Sequence, residues 1–176
     1  VYTFLADGSF RLDVAGKPVN ITEGTCLPRF GGEMQLPGNL EGVQWYGLGP
    51  GESYVDSKTA QRIGYYKAGV DALMTNYTFP QDNGNRSEVR RVAFHDIHGA
   101  GLIAVPDTPF NFSAHRYSQE ALTIAKHPYE LEVSENIYVH MDAAMSGIGS
   151  GSCGPQTADK YLVKPVPMKF GIRFRT

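Results

Sequence analysis

Glu52 and Asp56 share one loop-like run, Trp45-Tyr46-Gly47-Leu48-Gly49-Pro50-Gly51-Glu52-Ser53-Tyr54-Val55-Asp56. Carboxylates this close can divide acid and base work. Beside Gly and Tyr, such a pair more often holds a loop by accepting hydrogen bonds, and that reading is preferred here. Downstream, Asp82 and Arg86 bracket Asn83-Gly84, a pair suited to a positive-φ turn, and could join as a bidentate ion pair across it. None of the five histidines sits in the i, i+4 helical spacing or beside the Cys that a zinc site needs. Only His95 and His98 are close, around a turn, so no metal or other cofactor is expected. The run from Met145 to Pro155, Met-Ser-Gly-Ile-Gly-Ser-Gly-Ser-Cys-Gly-Pro, must form an exposed, adaptable loop. It lacks the lysine of a phosphate-binding loop, and no spacing supplies Cys153 with a base. Trp45 lies in a strand-like run, which favours core packing over a sugar platform.

These residues hang on short strands punctuated by turn residues. Tyr2 to Leu5 and Phe10 to Val14 alternate apolar and polar around Asp7-Gly8, a hairpin signal. Val43 to Tyr46 reads as a strand. Val89 to His95 and Leu102 to Val105 read as a hairpin over Asp96 to Gly101. Phe110 to Ala114, Ile137 to Met141 and Met168 to Phe174 alternate cleanly. Ser118 to Lys126 reads as a helix with Ser118 as its cap, stopped by Pro128. Thr59 to Tyr66 fits a helix or a strand. The pattern predicts an all-β fold of two packed sheets, a single domain over 1–176 with at most one or two short helices.

Composition narrows the function classes. The 176 residues suffice for one domain with a real core. The formal net charge is −2 and no basic block is longer than Arg90-Arg91, which argues against nucleic acid or an anionic membrane surface as partner. No apolar run approaches the length of a bilayer span. Nothing at Val1 resembles a signal peptide, and the missing initiator Met suggests a fragment. Cys26 and Cys153 are the only cysteines, too few to fix the redox compartment, and whether they pair stays open. Glycosylation-type triplets begin at Asn20, Asn76, Asn85 and Asn111.

Taken in order, the loops resemble the C-terminal, small-chain domain of large family 2 β-galactosidases. Trp45 to Asp56 resembles the family's W-Y-G-x-G-P-x-E-x-Y-x-D segment. Tyr77 to Arg86 is similar to its Y-x-x-P-Q-E-N-G-x-R stretch, with Asp82 in place of Glu. Asn111 to Leu122 matches N-F-S-x-x-x-[YF]-[ST]-x-x-x-L, and Gly147 to Pro155 matches G-x-G-S-x-S-C-G-P. Leu27 to Gly31 and the strand ending at Arg175 match more loosely. Ser57 stands where the family usually has Arg, and Arg91 where it often has Trp.

The resemblance implies a large antiparallel supersandwich like that of galactose mutarotases. It also implies part of an enzyme that hydrolyses terminal β-galactosides such as lactose with retention. Such enzymes use two carboxyl groups about 5 Å apart. In the family those groups lie on a separate barrel of about 250 residues, so the chain alone is expected to be inactive. Its expected partners are the catalytic barrel and other domains of the same enzyme, the galactoside, and further copies in an oligomer. No catalytic residue is expected here. In the best-known member a Trp on the Gly/Ser loop is the platform for the leaving sugar. Alignment puts Cys153 at that position, with Ser152 and Gly154 as its neighbours at the site. A thiol cannot stack on a sugar face as an indole does. The chain is shorter at its front than the usual domain, which favours an excised fragment over a separate small subunit. The competing readings are a stand-alone sugar-binding module or structural partner, and a mutarotase-like epimerase using His95, His98 and Glu88. The family suggests the cytoplasm, with the triplets dissenting.

Overall fold

Alternating apolar residues build two antiparallel sheets in the computed structural model, which describes residues 1–22, 24–149 and 156–176. Strands β1 (Tyr2–Phe4) and β2 (Phe10–Gly16) form the first hairpin, and β3 (Arg29–Pro37), β4 (Gly42–Gly49) and β5 (Arg62–Gly69) follow. Then come β6 (Arg86–Val89), β7 (Arg91–His95), β8 (Gly101–Pro106) and β9 (Phe110–His115). Helix α1 (Gln119–Ile124), β10 (Asn136–Met145) and β11 (Met168–Arg175) complete the order. The larger sheet runs β1-β2-β11-β8-β7-β4-β5 and the smaller β3-β10-β9-β6. The fold is thus an all-β sandwich with one short α-helix among the described residues, as the sequence predicts.

The period-2 pattern puts the core between the sheets. Val43 and Trp45 of β4, Val92 and Phe94 of β7, and Ile172 and Phe174 of β11 point inward from the larger sheet. Phe110 and Phe112 of β9 and Ile137, Val139 and Met141 of β10 meet them from the smaller one. Trp45 is 2% exposed, tilted against Tyr66 and edge-on to Phe112, and its indole N–H donates to the Leu48 carbonyl. It is a core residue, as its strand-like context suggests. The smaller sheet stops short of β1, so Tyr2 and Phe4 are exposed although they pair with the inward-facing Leu12 and Phe10.

Several local readings hold. Gly8 turns the first hairpin at φ 80°. Ser118 caps α1 by accepting from the Ala121 N–H. The segment Thr59 to Tyr66, left open, supplies strand β5 in its second half. The strand read over Val89 to His95 is corrected. Glu88 sits at φ 58° and the Arg90 N–H donates to the Tyr46 carbonyl, so the chain crosses there between sheets. Val89 ends β6 in the smaller sheet, while Arg91 begins β7 in the larger. Strand β3 was not visible as a strand because it holds Gly31-Gly32. Gly31 is required by close approach, since a Cβ there would lie 2.4 Å from the Met141 carbonyl oxygen of β10.

Candidate functional site

The sequence elements of interest are dispersed along the chain, yet the fold ties them into one hydrogen-bonded cluster. The first link is Glu52. Its carboxylate accepts from the hydroxyls of Tyr77 (2.6 Å), Tyr54 (3.2 Å) and Thr75 (3.4 Å), and from the Gly84 N–H. It therefore joins the Trp45–Asp56 run to the Tyr77–Arg86 run. Tyr77 hydrogen-bonded to this carboxylate has its phenol pushed up to about 12. Burial, reinforced by the Glu52 charge, raises the Tyr54 phenol as well. Gly84 turns at φ 72°, as Asn83-Gly84 predicts, and a Cβ there would lie 2.6 Å from the Leu73 carbonyl oxygen.

The second link is a set of small polar side chains. Ser53 and Asn85 exchange bonds, Ser53 N–H to the Asn85 carbonyl and the Asn85 amide to the Ser53 carbonyl. The Asn85 amide also donates to the Asn111 side-chain oxygen at 3.3 Å. Asn111 in turn donates to the Asp142 carbonyl on β10. Asn85 is 2% exposed and Asn111 is partly buried, so the triplets there serve packing. A glycan on Asn85 would have no room without breaking this network.

The third link reaches the Gly/Ser loop. The Asp56 carboxylate accepts the N–H groups of Ile148 (3.1 Å) and Gly149 (2.9 Å). Neighbouring bonds run from Ser146 N–H to the Pro28 carbonyl and from Gly147 N–H to the Tyr161 carbonyl. The Ser146 hydroxyl donates to the Leu27 carbonyl and accepts from the Val163 N–H. A Cβ at Gly147 would lie 2.5 Å from the Asp56 carboxyl, so only glycine lets the stem close onto Asp56. Cys153, Ser152 and Gly154 lie outside the described residues; what is defined is the base that carries them. Glu52 and Asp56 thus hold loops, and neither is arranged as an open acid/base pair.

Under this cluster the smaller sheet buries charged groups. The Arg29 guanidinium bonds Asp82 and lies 3.5 Å from the Asp142 carboxylate. This corrects the expected Arg86–Asp82 pair. Arg86 instead donates to the carbonyls of Leu73, Gly84 and Pro50 and lies 5.6 Å from the Trp45 ring centre. Asp82 had a partner in Arg29, which no sequence spacing reveals. Burial raises the Asp142 carboxyl from 3.8 to about 6, with Arg29 opposing. An acid whose folded pKa is raised adds stability below its unfolded pKa and loses it as pH rises through the folded one. Asp142→Asn is therefore expected to stabilise the fold by up to about 3 kcal/mol above pH 7 and to leave it unchanged near pH 3. Urea unfolding at the two pH values measures the difference.

The histidines do not form one site. His115 and His140 are buried on β9 and β10. His95 and His98 flank the β7–β8 turn, and His127 pairs with Glu130. Glu88 pairs with Lys58 and lines a cavity of about 290 Å³ beside Met145, at the other end of β7 from His95. The groups an epimerase would need on one sugar are thus apart. Sequence reasoning missed Arg29, Ser53, Asp142 and Ser146 as members of the cluster, because each acts through partners distant in sequence.

A family model described as "Beta galactosidase small chain" matches residues 1–174. The β-galactosidase of Actinobacillus pleuropneumoniae is 34% identical over 173 residues, covering 98% of this chain and 16% of that protein. That of Pseudoalteromonas haloplanktis is 36% identical over 167 residues, covering 93% and 15%. That of Arthrobacter sp. (strain B7) is 32% identical over 155 residues, covering 85% and 15%. The chain thus spans about 15% of the length of the curated relatives it matches.

Proposed function

The chain belongs to the β-galactosidase small-chain family, and from that premise we propose that it is a non-catalytic piece of a longer β-galactosidase that helps complete its sugar pocket. The observation that supports this reading is the coupling of whole-chain similarity with a small share of each relative's length. Residues 1–176 act as one domain, and the cleavage of terminal β-galactosides falls to carboxyl groups elsewhere in the polypeptide. The local contribution is the loop that includes Ser152, Cys153 and Gly154, presented to the leaving sugar from the stem clamped by Asp56. The cytoplasm is the compartment that suits this role.

The test is complementation. The purified chain should not turn over a chromogenic β-galactoside, and mixing with the remainder of the enzyme should restore turnover. Turnover by the chain alone, with contamination excluded, would sink the reading.

The clamp gives a sharper prediction. Asp56→Ala in the whole enzyme frees the Ile148 and Gly149 N–H groups and lets the loop base drift. A misplacement of about 1 Å is enough to cost up to a hundredfold, so kcat/KM is expected to fall about tenfold, mainly through KM. Steady-state kinetics on lactose read the effect, and unchanged constants would remove this loop from the site.

A further inference from the structure

We propose that the outer face of the larger sheet, at its β5–β4–β7 end, is the surface on which an acidic segment of the enzyme's remaining polypeptide docks. This rests on the reading that the chain is part of a longer enzyme. Cross-strand register fixes who shares the face. One row runs Tyr65–Tyr46–Arg91, and the next runs Lys67–Gln44–Ala93–Ile103–Arg175. A cavity of about 600 Å³ opens over Ala93 and Ile103, with Arg91, Gln44 and His95 at its wall.

Charge on this face is unevenly balanced. At the β2–β11 end, Arg11 is paired with Asp13 and Asp107, and Arg173 with Asp7. At the β5–β4–β7 end, no carboxylate among the described residues comes within ion-pair distance of Lys67 or Arg91, nor of Arg175 where the second row reaches β11. His95 adds no anion: its Nδ1–H donates to the Asp96 carbonyl, and its Nε2 accepts from the Gln44 amide. The Asp96 carboxylate is itself occupied by the N–H groups of His98 and Ala100. The cations therefore stand around an apolar floor without a direct ion pair among the described residues, and Asp96 at the cavity wall is turned to its own turn's N–H groups.

The neighbouring side chains have the composition of a contact surface. Tyr65 is 79% exposed and stacks on Tyr46 at 4.5 Å, with the Arg90 guanidinium 5.7 Å from the Tyr46 ring. Tyr and Arg are the residues that interface centres concentrate. Among the described residues no strand pairs with the outer edge of β5, and folded proteins cover or blunt such edges. Complementary charge selects the occupant, since carboxylates would be attracted here and ammonium groups repelled. The relatives carry more than five-sixths of their length outside the matched region, which supplies the chain to cover it.

The experiment uses the intact enzyme. Acetylation of Lys67 is timed in the native and the urea-unfolded protein, and a zero-length carbodiimide joins Lys67 to any carboxylate in contact. Slow native acetylation and a cross-link from Lys67 to an Asp or Glu beyond residues 1–176 are expected. Arg91→Glu should abolish that cross-link. Native Lys67 that reacts as fast as in the unfolded protein, or that links only within residues 1–176 or to a second copy, overturns the proposal. The mass of the intact polypeptide reports on the parent reading alone. A chain no longer than 176 residues removes that reading and the occupant with it, whereas a full-length enzyme with bare Lys67 overturns only the docking surface.

Discussion

Acidification from pH 7 to pH 4 is expected to strip several kcal/mol of stability from this fold, through two histidines buried on the smaller sheet. His115 is 2% exposed and its Nε2–H donates to the Asn83 carbonyl, leaving Nδ1 bare among the described residues. Burial first, then His140, Arg86 and Arg29, hold it down at about 4. His140 is 7% exposed and held at about 4 by burial and by Arg29, with Glu33 3.7 Å away. A base whose folded pKa is depressed contributes stability that is full above its unfolded pKa of 6.5 and is lost as pH falls through the folded value. Each histidine carries about 3 kcal/mol across that window. The two repel one another when charged, so their effects overlap. Asp142 works in the opposite sense below pH 6 and returns a part. Urea midpoints between pH 7 and pH 4 should fall steeply. His115→Gln, which keeps a donor toward Asn83, should flatten the slope by about half. An unchanged slope in that variant would exclude His115 as a source.

The pattern of what the sequence shows follows from the range of the forces involved. Alternation at Val43 and Trp45, or at Phe170, Ile172 and Phe174, is local, and so those strands are legible. The same is true of the Ser118 cap and the Asp7-Gly8 hairpin. Strand β3 is hidden because Gly31 and Gly32 leave no alternation, although β10 fixes both their conformation and their need for small size. The crossing at Arg90 is hidden because Val89 and Val92 read as flanks of one continuous strand, while the backbone changes sheets between them. The family resemblance located the four loops and their order, but not their convergence. Glu52 meets Gly84 across 32 residues, Arg29 meets Asp82 across 53, and Asp56 meets Gly149 across 93. Only the closed sandwich brings those partners together. The half-buried Arg29 and the buried Asp142 were invisible for a related reason, since burial of a strand's outer face depends on what loop lies over it.

Glu52→Ala is expected to cost about 3–5 kcal/mol and to loosen both loops at once, because its carboxylate accepts from Tyr54 in one loop and from Thr75, Tyr77 and the Gly84 N–H in the other. Removing it leaves the Gly84 N–H and the Tyr54 hydroxyl without their acceptor, with Tyr54 only 4% exposed. A stranded buried donor costs about 1–3 kcal/mol, and removing one partner of a buried charge network costs about 3–5. The guanidinium of Arg86 adds to the loss. Burial disfavours its charge, and Glu52 is the larger of the two groups, with Tyr54, that offset that burial. Glu52→Gln keeps the shape but brings an amide with its own donors among the Tyr54, Tyr77 and Thr75 hydroxyls. Those hydroxyls can rotate to accept, whereas the Gly84 N–H cannot, so a smaller loss of about 1–2 kcal/mol is expected. Thermal or urea unfolding of the two variants orders them. The Tyr77 phenol is the second readout: relieved of the Glu52 hydrogen bond and charge, its pKa should drop from about 12 toward the ordinary 10.0 in Glu52→Ala. Ultraviolet titration of the tyrosinates measures it. Equal stability in wild type and Glu52→Ala would mean that the two loops are held by Ser53 and Asn85 without the carboxylate.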